Sequence, residues 1–216
     1  MTSLTRSALC VLSLGLIAGY VDAVGYVELR GIFTAAMTGN ATTFGISLAD
    51  GNWFRAASVG TVLGLFFCGA LGASLLRRAL PAYRHEWLWM AGLLAAAQMM
   101  HWSHPAGDSS RVETLLLAVA MAMQGEALSR FSGVSVQTIV VTNNIVKFAD
   151  NIAGFLWGIG RGESKFTVAS ALPGLGWAGC ISGAFLSVFA RHATSGFFLA
   201  PVPLLVGLFF LWPEEG

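Results

Sequence analysis

Ser7–Leu29, SALCVLSLGLIAGYVDAVGYVEL, decides the fold class. Apart from Asp22 and Glu28 the stretch has no charged residue, and it is long enough to cross about 30 Å of hydrocarbon at 1.5 Å per residue. A helix that is apolar all round has no use for water on any face. Its N-terminal position, with Arg6 before it and Val21-Asp22-Ala23 near its end, imitates a secretory signal. Asp22 belongs to a feature that recurs later in the chain, so we read the stretch as a retained first span.

Working outward, five more runs share this character: Phe54–Leu76, Glu86–His104, Val112–Ser129, Phe166–Ala190 and Thr194–Trp212. Trp87, Trp89, Trp102 and Trp212 stand at run ends, where an indole prefers the headgroup region. The whole chain is 56% apolar and only 11% charged, less than half the charge of an ordinary soluble domain. An all-α, polytopic transmembrane bundle of about six spans follows, built as one transmembrane domain over residues 1–216. With a net charge of +1 and no basic stripe, nucleic acid is excluded as a partner. Cys10, Cys68 and Cys180 lie far apart inside apolar runs and read as small buried hydrophobes.

Two segments fit neither span nor loop. Gly31–Leu48 and Val134–Ile159 are moderately apolar but rich in Thr, Asn, Ser and Gly. Read as re-entrant or broken elements they give six spans, and read as crossings they give eight. With six spans and a cytoplasmic N-terminus, seven basic residues face inward (Arg6, Arg77, Arg78, Arg84, Arg130, Arg161, Lys165) and four outward (Arg30, Arg55, Arg111, Arg191). The best eight-span arrangement gives six against five. The positive-inside rule favours six, with both termini in the cytoplasm.

A shift of 104 positions lays Asp22–Asp50 over Glu126–Gly154 with six identities in 29 positions, among them Thr34/Thr138, Thr38/Thr142, Asn40/Asn144 and Phe44/Phe148. Asp22 falls on Glu126. Three spans per half, over about 7–104 and 112–212, put the halves in opposite orientations, an inverted repeat of the kind found in transporters. Gly60/Gly64 and Gly179/Gly183 place a Gly-x-x-x-Gly in the same element of each half, suited to close helix packing.

The repeat supplies the candidate site. Asp22 and Glu126 are ionisable groups within or at the end of apolar spans, a placement that costs about 2.5–3.5 kcal/mol on insertion scales. Two roles are open to them: ligands for a proton or cation, or structural groups that cap unwound helix ends or pair with a nearby Arg such as Arg30 or Arg130. Thr38, Asn40, Thr142 and Asn144 offer donors and acceptors either to a permeant solute or to freed backbone. Gly25, Gly39 and Asn143 are the expected backbone turn positions. Gln124 reads as an interhelical hydrogen bonder, and His101 and His104 as an interfacial polar cap without a third metal ligand. No motif calls for a metal or cofactor, and no catalytic residue is assigned.

Ala18-Gly19-Tyr20-Val21-Asp22-Ala23-Val24-Gly25-Tyr26, then Phe33 and Met37-Thr38-Gly39-Asn40, resembles the signature of the YoaK-like family of small bacterial multi-pass membrane proteins. Asp22, Gly25, Thr38, Gly39 and Asn40 match its motif positions. The second half departs from the family's Thr-Gly pattern, reading Val141-Thr142-Asn143-Asn144. The resemblance implies an inner-membrane location and no particular activity. Three functions stand open: a small-solute transporter or channel, proton- or cation-coupled; a membrane enzyme on a lipid or hydrophobic substrate; or a structural or regulatory subunit. Expected partners are membrane lipids, a small solute or ion, and a second copy of the chain.

Overall fold

A computed structural model describes residues 3–28, 31–79, 85–103, 110–127, 130–131, 134–135, 141–159, 161 and 166–211. The chain forms α1 (Ser3–Glu28), α2 (Met37–Ala49), α3 (Trp53–Ala79), α4 (Glu86–Ser103), α5 (Ser110–Ala127), α6 (Val141–Ile159), α7 (Val168–Ala193) and α8 (Val202–Leu211). A minimal antiparallel pair, β1 (Arg130–Phe131) with β2 (Val134–Ser135), lies between α5 and α6. Among the described residues three helices, over Leu4–Glu28, Trp53–Leu76 and Val168–Ala193, are long and apolar enough to cross a membrane.

The sixth apolar run is not the single helix its hydropathy suggests. Thr194–Trp212 contains a 3-10 turn at Phe197–Leu199 and then the ten-residue α8. Pro201 and Pro203 are the cause, because neither has an N–H to continue a helical ladder from the preceding turn. Pro201 instead starts α8, its carbonyl accepting from the N–H of Leu204 and of Leu205.

Polarity is distributed inside-out. Trp53, Phe54, Phe67, Leu71, Leu156, Trp157, Ile181, Phe185, Phe189 and Phe210 are exposed, while Thr34, Asn40, Gln98, Gln124, Asn144 and Ser187 are buried. Such an apolar exterior is far beyond the patches a soluble monomer carries. In lipid it has no cost, and the polar groups satisfy one another inside. On α6 this goes furthest: its one fully buried residue is Asn144.

α1 is the axial helix. Cys10, Val11, Leu14 and Ile17 meet Trp87, Met90 and Leu94 of α4, Leu117 and Met121 of α5, and Leu205 and Leu208 of α8 in one core. Gln124 adds an interhelical bond from its Nε2 to the Leu14 carbonyl (2.8 Å). The closest pairing is α1 with α7, which run parallel. A Cβ on Gly15 would lie 2.6 Å from the Gly176 carbonyl oxygen, and one on Gly19 1.9 Å from that of Cys180. From α7, a Cβ on Gly179 would reach 2.7 Å from the Leu12 oxygen and one on Gly183 2.0 Å from that of Leu16. Two i, i+4 glycine pairs thus bring two backbones into contact. α3 packs on α5 through Gly69 against Val119 and Ala122, α2 on α3, α6 on α7, and α4 on both α5 and α8.

Cys10 is buried, Cys180 partly so, and Cys68 is exposed on the apolar surface of α3, unlike the buried position its sequence context suggests. All three are free thiols.

Candidate functional site around Asp22

Past the end of α1 the Gly31 N–H returns to the Tyr26 carbonyl (2.8 Å), and Gly31 then turns the chain with a φ of +84°. This six-to-one bond is the usual way a helix end satisfies its last carbonyls. The chain then runs back along α1 without helical structure until Met37. Asp22 lies six residues before Glu28, so this non-helical backbone sits about 9 Å in from the end of α1.

Backbone freed at that depth needs partners. Asp22 supplies them. Its Oδ1 accepts the N–H of Thr34 (2.7 Å), of Ala35 (2.7 Å) and, more weakly, of Ala36 (3.4 Å), with the Thr34 hydroxyl also at 3.4 Å. The carboxylate thereby serves the chain just ahead of α2, where an anion is favoured by the dipole. Gly25, one turn along on the same face, leaves room for Thr34: a Cβ there would be 2.4 Å from Thr34 Cγ2.

Asn40 holds the same segment from the other side. Its Oδ1 accepts the Phe33 N–H (3.0 Å) and its Nδ2 donates to the Phe33 carbonyl (2.7 Å), so one amide side chain satisfies both backbone groups of one residue. The Phe33 ring lies over Gly39, 3.1 Å from where a Cβ would stand. Residues 33–36 are therefore clamped between a carboxylate of α1 and an amide of α2, with Thr34 and Asn40 both buried.

The turn positions expected from sequence differ. Gly25, Gly39 and Asn143 all lie within helices, and among the described residues the positive-φ glycines are Gly31 and Gly51. Gly25 and Gly39 matter for closeness of approach, not for a left-handed dihedral. Thr38 and Thr142 are exposed on α2 and α6, whereas Asn40 and Asn144 are buried, so the two halves treat their Thr-x-Asn alike. The α2 hydroxyls turn onto their own helix: Thr42 donates to the Thr38 carbonyl, Thr43 to Gly39 and Ser47 to Thr43. Phe44 lies on Gly60 of α3, and its repeat counterpart Phe148 on Gly174 of α7. Gly64 faces open space, while Gly179 and Gly183 face α1. Glu126 is in the last turn of α5; its side chain, and residues 136–140 opposite it in the repeat, lie outside the described residues.

A second polar cluster gathers His101 and Trp102, which the sequence marks only as interfacial, around main-chain groups it does not mark at all. The break before α8 exposes backbone groups, and side chains from α1 and α4 converge on them. Gln98 donates to the Ser195 carbonyl (2.7 Å) and accepts from the Phe198 N–H (2.9 Å). Trp102 Nε1 donates to the same carbonyl (3.0 Å), and the Tyr20 hydroxyl to that of Phe197 (2.7 Å). Beside them His101 Nδ1 is 3.3 Å from the buried Glu113 Oε1, with its ring edge-on to Phe197 and Phe198. No group of three metal-ligating side chains occurs among the described residues.

Asp22, Gly25, Gly39 and Asn40 thus converge on one non-helical segment, residues 33–36, while Thr38 is exposed. Residues 10–211 match the family described as Protein of unknown function (DUF1275). The chain belongs to that family. It is 24% identical over 151 residues, 66% of its length, to the UPF0700 transmembrane protein YoaK of Bacillus subtilis (strain 168). The match spans 65% of that relative. No solved structure matches the chain. With the inside-out distribution of polarity, this establishes a YoaK-like helical membrane protein.

Proposed function

We propose that this DUF1275 member is a small-solute transporter of the bacterial inner membrane, coupled to protons through Asp22. The observation that carries the reading is the carboxylate in axial helix α1 gripping three amides of non-helical backbone. Irregular backbone at membrane depth persists only where it is buried in protein or lines a watery path. Protonation turns a charged acceptor into a neutral one, whose bonds to the same amides are roughly half as strong. A proton arriving at Asp22 loosens residues 33–36, and its departure tightens them. The Asn40 clamp keeps the segment tethered to α2 throughout, so the motion is local.

The architecture is two three-span repeats of opposite orientation. Two packing features support it. The first helix of each half packs on the third element of the other, α1 on α7 and α5 on α3. Within each half the polar-segment helix packs on the next one, α2 on α3 and α6 on α7. Glu126 takes the position of Asp22 in the second half. The seven-to-four inward excess of basic residues supports cytoplasmic termini.

Proteoliposome flux tests the coupling role. Protein carrying Asp22→Asn and Glu126→Gln together is expected to lose the pH dependence of uptake across a panel of small solutes, with proton entry followed by an entrapped pH dye. Unchanged pH-dependent uptake by the double variant, folded as judged by its elution from a sizing column, rules the coupling role out.

A further inference from the structure

Away from Asp22, a second acid is buried where the end of α4 meets the start of α5. Glu113 stands in the first turn of α5 and is 3% exposed. The dipole of this 18-residue helix favours a negative charge there, but Glu113 Oε1 accepts no hydrogen bond. A buried anion without a partner is strongly destabilising. The group within reach is His101, in the last turn of α4. Its Nδ1 is 3.3 Å from Oε1, close enough to pair though not aligned as a hydrogen bond. The imidazole is 29% exposed, so a proton reaches the pair through His101.

The same imidazole touches the break before α8. Its ring centroid is 5.1 Å from that of Phe197 and 5.7 Å from that of Phe198, both at steep angles. These residues open the 3-10 turn Phe197–Leu199, which Tyr20 and Gln98 tie to α1 and α4. Among the described residues, the other titratable groups at this end are engaged elsewhere. On α1, Tyr20 donates to the Phe197 carbonyl, Asp22 serves residues 34–36 and Glu28 pairs with Arg191 of α7. Arg55 of α3 lies beside Gly31, and the 3-10 turn and α8 have no titratable side chain.

We infer that His101 and Glu113 form a binding site for one proton, and that the bound proton holds the 3-10 turn against the bundle. Histidine is the side chain that changes charge between about pH 5 and 8 in ordinary surroundings. With the proton on the imidazole the two charges cancel, and the ring stays on Phe197 and Phe198. When the proton leaves, Glu113 keeps its charge without a counter-ion. Water must then come in to solvate it, at the expense of the ring contacts. The site fills at low pH, so the turn is held there and released as the pH rises. The inference goes beyond the Asp22 reading, shares no residue with it and predicts a response in a different segment.

Hydrogen exchange of the full chain in nanodiscs, corrected for the intrinsic effect of pH on exchange, tests it. Between about pH 5.5 and about pH 8.5 the wild-type amides of Phe197–Leu199 are expected to lose about tenfold in protection. That is the size expected when the held turn binds the proton that much more tightly than the released one. His101→Gln, which cannot carry the charge, is expected to be released at both pH values. Glu113→Gln, which removes the buried charge, is expected to be held at both. A role in packing alone would not give two opposite levels that ignore pH. Equal wild-type protection at the two pH values overturns the proposal, and so does a pH step that survives in either variant. Nitrogen-15 histidine shifts of the wild type give a reading that needs no Glu113 variant: a His101 that keeps one charge state across that range overturns the proposal as well.

Discussion

Replacing Asp22 by alanine and by asparagine separates its structural from its electrical contribution. In Asp22→Ala the amides of Thr34 and Ala35, each 2.7 Å from Oδ1, lose their acceptor. Thr34 is 0% and Ala35 6% exposed, so water does not replace it. A buried donor left unsatisfied costs about 1–3 kcal/mol, giving roughly 2–6 kcal/mol for the pair. Asp22→Asn keeps an oxygen at the same position. It loses only the ionic strengthening of the two short bonds, about 1 kcal/mol each, and this is offset by the smaller desolvation of a neutral side chain. The order of stability is wild type, then Asn closely behind, then Ala far below. At about 2–4 °C per kcal/mol for a chain of this size, Ala should melt on the order of 5–15 °C below Asn. A thiol-reactive dye reads this directly in detergent, because exposed Cys68 reacts at the outset and buried Cys10 only as α1 comes free. Alanine and asparagine variants melting within about 2 °C of each other would refute the assignment of Asp22 as the acceptor for residues 34–36.

Gly19→Ala or Gly183→Ala puts a methyl about 2 Å from a backbone oxygen of the partner helix and must push α1 and α7 apart. Each should lower stability by roughly 3 kcal/mol or more, whereas Gly64→Ala, facing open space, should leave the melting temperature unchanged or slightly raised. Gln98→Met should act locally: hydrogen exchange over Phe197–Leu199 is expected to quicken while the rest of the bundle holds, since Trp102 still donates to the Ser195 carbonyl.

The sequence announces what contrasts with its surroundings. Asp22 and Asn40 stand out as polar groups in apolar runs, and both prove to be anchors of the broken segment. Gly15 and Gly19 are equally consequential for the α1–α7 contact, yet a glycine among leucines has no polarity to mark it. Gln98, Trp102 and Tyr20 escaped because their partners are main-chain groups at Ser195, Phe197 and Phe198, and a freed carbonyl leaves no trace in residue type. His101 and Glu113 are twelve positions apart and meet only because α4 and α5 pack as neighbours. Hydropathy makes Thr194–Trp212 look continuous because it averages over Pro201 and Pro203, whose effect lies in the hydrogen-bond ladder. Gly39 has the freedom a turn needs, but Gly31 takes the positive φ and Gly39 takes the Phe33 ring.

The two long helix pairings differ in a way that bears on how transport would proceed. α1 and α7 touch backbone to backbone at four glycines, with no side chain between them to yield. Packed contacts of this kind are bistable and do not slide continuously, so the pair behaves as one body. α3 meets α5 at Gly69, but beside that contact the interface opens into an apolar groove running along Gly72. Slack therefore lies on the α3–α5 side. Under the transport reading, α1 with α7 is the fixed frame on which Asp22 is mounted, and residues 33–36 with α2 and α3 are the part that answers to its charge. Filling that groove in Gly72→Leu should therefore change the rate of pH-dependent uptake without changing which solute is taken up.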